Sequence, residues 1–175
     1  LIAVRETDGD QAILIATHGG MAICFKETDV RCMGRDAYGV RGIKLREGDW
    51  VVGAARAKCD HQVLMVTENG YGKRTPMDDY IRADGPQNRG GYGLKGYQCT
   101  DKTGCVVGVK VVSDDDDILV INDAGVIIRM AVSGINVYSR SAQGVKLMNL
   151  DEGVKVISIA RTEHEEEEES GAGEA

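Results

Sequence analysis

The segment "QVLMVTENGYGKRT" (62–75) determines the predicted fold, because a polar turn ending in glycine joins one apolar run to a second short run. Runs rich in Val, Leu and Thr favour strands, and the E-N-G turn favours a hairpin since Asn and Gly accept a positive φ. The same pattern recurs in "AILIATHGGMAICF" (12–25) and "DILVINDAGVIIRM" (117–130), so we predict three similar β-hairpins. Their turn glycines, at intervals of 50 and 55 residues, are Gly20, Gly70 and Gly125.

Two further landmarks follow each hairpin. One is a glycine, an aliphatic residue and a base, in "YGVRG" (38–42), "YGLKG" (92–96) and "QGVKL" (143–147). The other is a closing apolar run, in "WVVGAA" from Trp50, "CVVGVKVV" from Cys105 and "VKVISIA" from Val154. These segments give each unit about four short strands, the content of one propeller blade. Because helical periodicity is nowhere sustained, we predict an all-β, propeller-like array.

The predicted blades span residues 10–59, 60–115 and 116–162. The opening stretch "LIAVRETD" (1–8) matches the last closing run, "VISIARTE" (156–163), so residues 1–9 are predicted to be the closing strand of an upstream blade. Three blades do not close a ring, and an open array exposes strand edges. We therefore expect the chain to be the C-terminal part of a larger protein.

Charge is distributed unevenly along the chain. Seven of the 28 acidic residues follow Thr162, whereas all 21 Lys and Arg residues precede it. The part predicted to fold is therefore electrically balanced despite the formal net charge of −7. Residues 163–175 are predicted to be a disordered acidic tail, because like charges repel and bury nothing.

Several function classes are excluded by what the sequence lacks. No run approaches the roughly 18 apolar residues that span a bilayer, and there is no signal segment, so we expect no membrane partner. Five cysteines without a C-x-x-C pair indicate a reducing cytoplasm and no zinc site. No paired nucleophile and base, phosphate-binding loop or metal cluster is present, so we predict no catalysis by this chain. The acidic run "DDDD" (114–117) is interpreted as a solvated linker rather than a calcium loop.

Three segments resemble one known family. The turn "TENGYGKRTP" (67–76), the loop "QNRGGYG" (87–93) and the stretch "GRDAYGVRGIKL" (34–45) are similar to the C-terminal domain of the DNA gyrase A subunit, a bacterial type IIA topoisomerase. The resemblance covers essentially residues 1–162. It implies a β-pinwheel, in which neighbouring blades exchange strands and the rim wraps DNA.

The resemblance also implies partners and a location. They are double-stranded DNA, the remainder of the gyrase A subunit and the gyrase B subunit, in a bacterial, nucleoid-associated cytoplasmic enzyme that supercoils DNA negatively using ATP. No cofactor is expected in this chain, because ATP and Mg²⁺ would act elsewhere in the parent enzyme.

The loop at 87–93 is an incomplete copy of the family's box motif, Q-R-R-G-G-K-G. Asn88 and Tyr92 stand where the motif has two cations, so we interpret the loop as a box-like segment and expect the full motif upstream. The matching residues are Gln87, Arg89, Gly90, Gly91 and Gly93.

Bases at matching repeat positions are the predicted DNA contacts. Arg and Lys neutralise phosphates without reading bases, and glycine lets backbone N–H groups approach a phosphate. Gly39, Gly93 and Gly144 are nevertheless interpreted first as turn or bulge residues. Arg35 and Arg140 align, with Arg89 nearby; Arg41, Lys95 and Lys146 align; Arg74 and Arg129 align; Lys44 and Lys73 are neighbouring candidates.

Other functions remain open from the sequence. A topoisomerase IV A-type C-terminal domain has the same fold and senses DNA geometry, and a propeller can also be a protein-interaction module. Binding that weakens as salt rises favours DNA over a protein partner. The acidic tail is predicted either to compete with DNA for the basic rim or only to solubilise the chain.

Overall fold

A computed structural model describes residues 1–82 and 85–164. Within these ranges eleven strands form three antiparallel sheets, which confirms the predicted all-β class. No helix among the described residues is long and apolar enough to cross a membrane. The strands are β1 (Ala12–Thr17), β2 (Met21–Lys26), β3 (Val51–Ala57), β4 (Gln62–Thr67), β5 (Tyr71–Pro76), β6 (Leu94–Lys95), β7 (Val106–Val112), β8 (Asp116–Asn122), β9 (Ile127–Ala131), β10 (Val145–Lys146) and β11 (Val156–Glu163).

Each predicted hairpin is present and is followed by a short 3-10 turn. The hairpins are β1–β2, β4–β5 and β8–β9, and the 3-10 turns are Glu27–Asp29, Met77–Tyr80 and Val132–Gly134. The closing run of each repeat pairs with the first strand of its own hairpin, as β3 with β1, β7 with β4 and β11 with β8. Each of these three pairings carries a register shift, which indicates a bulge at a similar place.

The fourth strand of a sheet comes from the next repeat. The strand orders are β3-β1-β2-β6 in the first sheet, β10-β5-β4-β7 in the second and β11-β8-β9 in the third. The glycine-base segment of one repeat therefore extends the sheet of the preceding repeat instead of its own. This exchange is what the family resemblance implied, and the strand pattern alone did not predict it.

The turn glycines hold the exchanged segments. The Gly20 carbonyl accepts hydrogen bonds from the backbone N–H groups of Gly96 (2.8 Å) and Tyr97 (3.0 Å). The Gly70 carbonyl accepts the equivalent pair from Leu147 (2.8 Å) and Met148 (3.2 Å). The first two hairpin turns are thus docking points for the repeats that follow them.

The core lies between successive sheets. On β4, Val63 and Met65 pack in the cluster shared with the first sheet, whereas Leu64 and Val66 pack in the cluster shared with the third. Alternate residues of one strand point to opposite faces, so the middle sheet is buried on both sides. This explains why the "VLMV" run is continuously apolar.

Two predicted DNA contacts are corrected by the structure, because Lys73 is fully buried and Arg74 is only 6% exposed. The Lys73 Nζ donates to the carbonyls of Ser139 (2.7 Å) and Arg140. Desolvation, together with the nearby Arg140 charge, lowers the Lys73 pKa to about 8.

Arg74 is held in the same way by the third repeat. Its Nε donates to the Ile135 carbonyl (2.5 Å), its Nη2 donates to the Ser133 carbonyl (3.3 Å), and its Nη1 pairs with Asp114. Both cations therefore tie the second sheet to the loop of the third repeat, and neither presents its charge at the surface.

The predictions for the two ends of the chain are not tested by the structure in the way that those for the sheets are. Residues 1–8 form no strand in the structure, so their role as the closing strand of an upstream blade stays a prediction. Strand β11 extends through Glu163, and the predicted tail lies outside the described residues from Glu165 onward. The predicted blade boundaries likewise stay a prediction.

Substituting Gly70 and Gly125 separately with alanine tests the docking role of the turn. Both glycines have a positive φ, 78° and 83°, so each variant strains the backbone by about 1–2 kcal/mol. A Cβ on Gly70 would lie 2.5 Å from the Met148 carbonyl oxygen, whereas one on Gly125 meets nothing within 4 Å. We expect Gly70→Ala to lower the free energy of unfolding by about 2 kcal/mol more than Gly125→Ala in urea denaturation. Equal losses would show that the turn does not hold the next repeat.

The buried Lys73 predicts a pH dependence of stability. Its folded pKa lies below the ordinary value of 10.5, so above pH 8 the unfolded chain keeps a proton that the folded chain has released. Stability should therefore rise with pH in the window between about 8 and 10.5, and the charged-lysine penalty is fully present below it. Between pH 7.5 and 9.5 wild type should gain about 1–2 kcal/mol relative to Lys73→Met. Thermal or urea unfolding measures this, and a constant difference would contradict it.

Candidate nucleic-acid interface

The exchanged strands carry cations at equivalent positions. Lys95 on β6 lies opposite Met21, and Lys146 on β10 lies opposite Tyr71, the first residue of the outer hairpin strand in each case. Both lysines are exposed. Arg41 holds the same place in the first repeat, two residues after a glycine with positive φ, and is also exposed.

Glycine is required beside these cations because of close backbone approach. Gly93 and Gly144 precede Lys95 and Lys146 by two residues and have φ of 76° and 75°. A Cβ on either would lie 2.2 or 2.3 Å from a carbonyl oxygen of the outer hairpin strand. This close approach supports the interpretation of Gly93 and Gly144 as residues that the backbone geometry requires. Gly39 also has a positive φ, but a Cβ on it would meet nothing within 4 Å.

Arginines four residues before these glycines link consecutive loops. Arg89 donates from Nε to the Asp29 carbonyl (2.9 Å) and from Nη1 to the Arg41 carbonyl (3.2 Å). Arg140 donates from Nη1 to the Lys95 carbonyl (3.3 Å). In both cases the arginine of one repeat contacts the backbone of the cation-bearing residue in the preceding repeat. The guanidinium groups thereby position neighbouring cations relative to each other.

Sequence reasoning assigned Arg89 and Arg140 to DNA contact and missed this positioning role. Both are partly buried, as their carbonyl contacts require. The available signal was the constant spacing, since Arg35, Arg89 and Arg140 all stand four residues before a glycine with positive φ. Arg35 itself is exposed.

The box-like loop at 87–93 packs on the first sheet. Gln87 is buried and donates its backbone N–H to the Cys24 carbonyl (2.8 Å) at the outer hairpin strand. Gly90 donates to the Gly42 carbonyl (2.6 Å), and Gly91 accepts from the Lys44 N–H (2.7 Å). The loop of the second repeat therefore contacts the 41–44 segment of the first repeat.

Aromatic side chains lie beside some of these cations. The Lys44 Nζ lies 4.8 Å from the centroid of the exposed Tyr92 ring. Tyr38 is fully exposed, whereas Tyr97 is buried beneath Lys73, whose Nζ is 5.2 Å from its ring centroid. Trp50 stacks on His18 with ring centroids 3.9 Å apart. The exposed rings of Tyr38 and Tyr92 are thus available for contact with a large ligand.

Carboxylates reduce the positive potential in places. Asp78 and Asp79 line the same cleft as Lys95 and Arg140. Arg129, a predicted contact, donates from Nε to Asp117 (2.7 Å) and from Nη2 to the Glu163 carbonyl (3.0 Å). Its side chain is engaged by its own sheet, which makes it a weaker candidate than the cations of the rim loops.

The acidic run at 114–117 is used inside the protein. Asp114 pairs with Arg74, Asp116 accepts from the Ser113 N–H (2.7 Å), and Asp117 pairs with Arg129. Hydrogen bonds from His164 and Arg129 hold the Asp117 pKa below its ordinary value. These pairings are specific, so the interpretation of the run as a merely solvated linker is incomplete.

Of the ten predicted contacts, six are exposed at the surface, one of which, Arg129, pairs with Asp117; two position neighbouring loops and two are buried. The other five exposed residues are Arg35, Arg41, Lys44, Lys95 and Lys146. Lys95 and Lys146 lie on the exchanged strands, and Arg35, Arg41 and Lys44 lie in the corresponding segment of the first repeat; together they form the candidate nucleic-acid interface. We call these five residues the rim cations.

Comparison with known proteins gives a consistent result. The model of the DNA gyrase C-terminal domain, a beta-propeller, matches residues 11–58, 61–113 and 116–163. The DNA gyrase A subunit of Staphylococcus epidermidis is 46% identical over 169 residues, which cover 95% of this chain and 18% of that protein. The Staphylococcus aureus subunit is 45% identical over 176 aligned residues, covering 99% of this chain and 19% of that protein.

Solved structures are similar over most of the chain. A DNA gyrase A C-terminal domain matches with a TM-score of 0.80 and 31% identity, covering 89% of this chain and 52% of that one. A DNA topoisomerase IV C-terminal domain matches with a TM-score of 0.82 and 26% identity, covering 90% and 48%. The chain thus spans about half of these domains and less than a fifth of the curated subunits. Three matched repeats, the exchanged strands and the level of identity agree: the chain belongs to the DNA gyrase C-terminal domain family.

Proposed function

We propose that this chain binds double-stranded DNA without sequence preference and bends it along the rim cations. The observation that carries the proposal is the recurrence of an exposed cation at one position of the exchanged segment, as Arg41, Lys95 and Lys146. Lys95 and Lys146 lie at the same edge of consecutive sheets, and Arg41 holds the same position in the first repeat. A path of that kind contacts successive phosphates of a curved duplex.

The chemistry of the rim suits backbone contact more than base recognition. Lys and Arg neutralise phosphates and release counterions, which supplies affinity for any sequence. Contacts spread along a curved path offset the energy of bending the duplex. The carbonyl contacts of Arg89 and Arg140 fix the spacing between neighbouring loops, so the rim is held in shape before DNA arrives.

In the parent protein this bending would support DNA wrapping by gyrase and, with ATP, negative supercoiling. The partners would be DNA, the remainder of the gyrase A subunit and the gyrase B subunit, in a bacterial cytoplasm. The gyrase A relatives at 45–46% identity support this assignment. Catalysis and ATP binding would belong to those other parts of the enzyme.

Neutralising the three equivalent cations tests the proposal. The variant Arg41→Gln/Lys95→Gln/Lys146→Gln should weaken binding to duplexes of different sequence equally. If each cation contacts one phosphate, the slope of log affinity against log salt should become shallower by about 2.7, since each phosphate contact contributes about 0.9. Fluorescence anisotropy at several salt concentrations measures both quantities. An unchanged slope would contradict the assignment of DNA to this edge.

A matched control removes the same charge elsewhere. Arg56, Lys110 and Arg161 lie on the closing strands β3, β7 and β11, at the other side of each sheet. Changing these three to glutamine should leave the salt slope of DNA binding unchanged. If this control lowers the slope as much as the rim variant does, DNA responds to overall charge and not to the rim.

Topoisomerase IV is the second candidate parent enzyme, because its C-terminal domain has the same fold with a TM-score of 0.82. Fold similarity does not separate the two enzymes, and sequence identity favours gyrase, at 31% against 26% for the solved domains. A gyrase domain that wraps closed circular DNA should constrain writhe, so the linking number should be altered after a strand-cutting and resealing enzyme relaxes the complex, whereas a topoisomerase IV domain that senses DNA geometry without wrapping should leave it unaltered.

Removing the acidic tail is expected to tighten DNA binding. The residues after His164 carry six carboxylates and no Lys or Arg, and a tethered polyanion competes with DNA at high effective concentration. Truncation should begin after His164, because β11 extends through Glu163 and His164 contacts Asp117 (2.7 Å). Binding isotherms at low salt measure the effect. Identical isotherms for the two chains would leave the tail with a solubilising role.

A further inference from the structure

A second group of cations surrounds a cavity on the side of the sheets formed by the closing strands. The cavity has a volume of about 390 Å³, within the range of roughly 300–1,000 Å³ typical of small-molecule sites. Among the described residues that line it, none is acidic. Its lining residues are Arg5, Ala55, Arg56, Lys58, Lys110, Val111, Ala160 and Arg161.

The three closing strands contribute the same two positions to this cavity. Ala55, Lys110 and Ala160 pair with the equivalent leucines of the first hairpin strands, Leu14, Leu64 and Leu119. The next residues, Arg56, Val111 and Arg161, pair with the preceding residue of those strands. Each strand therefore supplies one apolar residue and one cation. The cation stands at the second position in β3 and β11, as Arg56 and Arg161, and at the first position in β7, as Lys110.

These cations are only partly compensated inside the protein, by Asp116 beside Arg161 and by the electrostatic attraction of Asp8 for Arg56. Arg161 lies 3.5 Å from an Asp116 oxygen that also accepts from Ser113 N (2.7 Å) and Oγ (3.1 Å). Arg56 donates to the uncharged Glu6 carbonyl (3.4 Å). Burial is the largest cause of a lowered Lys110 pKa, and the neighbouring charges of Arg5 and Arg161 lower it further.

We propose that this cavity binds a multivalent oxyanion, carried by phosphate or carboxylate groups. Three arginines offer planar pairs of N–H donors that match phosphate or carboxylate oxygens, and two lysines add point charges. A bound anion of charge two or more would relieve the repulsion among the cations. Nothing in this site depends on the rim cations, so the proposal is independent of DNA binding.

The same chemistry has two sources. One is a free phosphate compound, and the other is the carboxylates of the chain's own acidic run, Glu165–Glu169, which begins four residues after Arg161 in the sequence. Pyrophosphate is the probe for the free anion. Truncation after His164 removes the carboxylate source and leaves the described residues intact.

Titration calorimetry of the 175-residue chain with pyrophosphate, without divalent metal, tests the site. We expect saturable binding that Arg56→Gln/Arg161→Gln weakens at least about tenfold, the loss expected for one charge-assisted hydrogen bond or more. The matched rim variant Arg41→Gln/Lys146→Gln removes the same charge and should bind as wild type does. Equal weakening by both pairs would overturn the proposal, because it would show attraction to overall charge only.

The truncated chain separates the two sources. Equal affinity in the truncated and intact chains assigns the cavity to a free anion. Tighter binding after truncation, abolished again by Arg56→Gln/Arg161→Gln, shows that the tail's carboxylates occupy the same cavity. Absence of saturable binding in both chains would overturn the proposal.

A second variant covers the case in which the paired substitution prevents folding. Arg5 lies in the opening segment that forms no strand, so Arg5→Gln leaves every sheet pairing intact. It should weaken pyrophosphate binding while the thermal unfolding midpoint without ligand stays unchanged. Unaltered affinity in this variant would contradict a role for the cluster as a whole.

Discussion

The backbone pairing between one hairpin turn and the next repeat is the interaction on which the remaining structure depends. At Gly20 and Gly70 a single carbonyl accepts two N–H groups from the following repeat, and no side chain fits between the two backbones. This contact places β6 and β10 on the outer edge of the preceding sheet. The positions of Lys95 and Lys146 on the exchanged strands follow from it, as do the contacts of the buried cations.

The hairpins were predictable from sequence because each depends on local chemistry. A polar turn ending in glycine between short apolar runs specifies a hairpin without reference to the rest of the chain. The exchange was not predictable from the pattern, since pairing between repeats depends on contacts at long sequence separation. From sequence, Leu94 and Lys95 could form a strand of the first or of the second sheet. The backbone contacts beside Gly20 place them in the first sheet.

The exposure of a basic residue was predictable from sequence only where equivalent positions in the repeats have the same neighbours. Arg74 and Arg129 align in sequence, yet Arg74 is covered by the third repeat while Arg129 pairs with Asp117. The equivalent residue of the first repeat is Cys24, which lies in the core, where burial raises the pKa of its thiol to about 11. One repeat position thus has three environments, because each sheet has different neighbours. Alignment of bases identifies a position but not its exposure.

The sheet order also separates the two groups of cations electrostatically. In the order β3-β1-β2-β6, three spacings of about 4.8 Å separate the closing strand from the exchanged strand, or about 14 Å in all. The Debye length at physiological ionic strength is about 8 Å, so charges that far apart and exposed to solvent are largely screened from each other. An anion among Arg56, Lys110 and Arg161 therefore leaves the potential at Lys95 almost unchanged. The two edges of one sheet, which successive repeats encode, are therefore electrostatically independent positions for the two proposed anionic ligands.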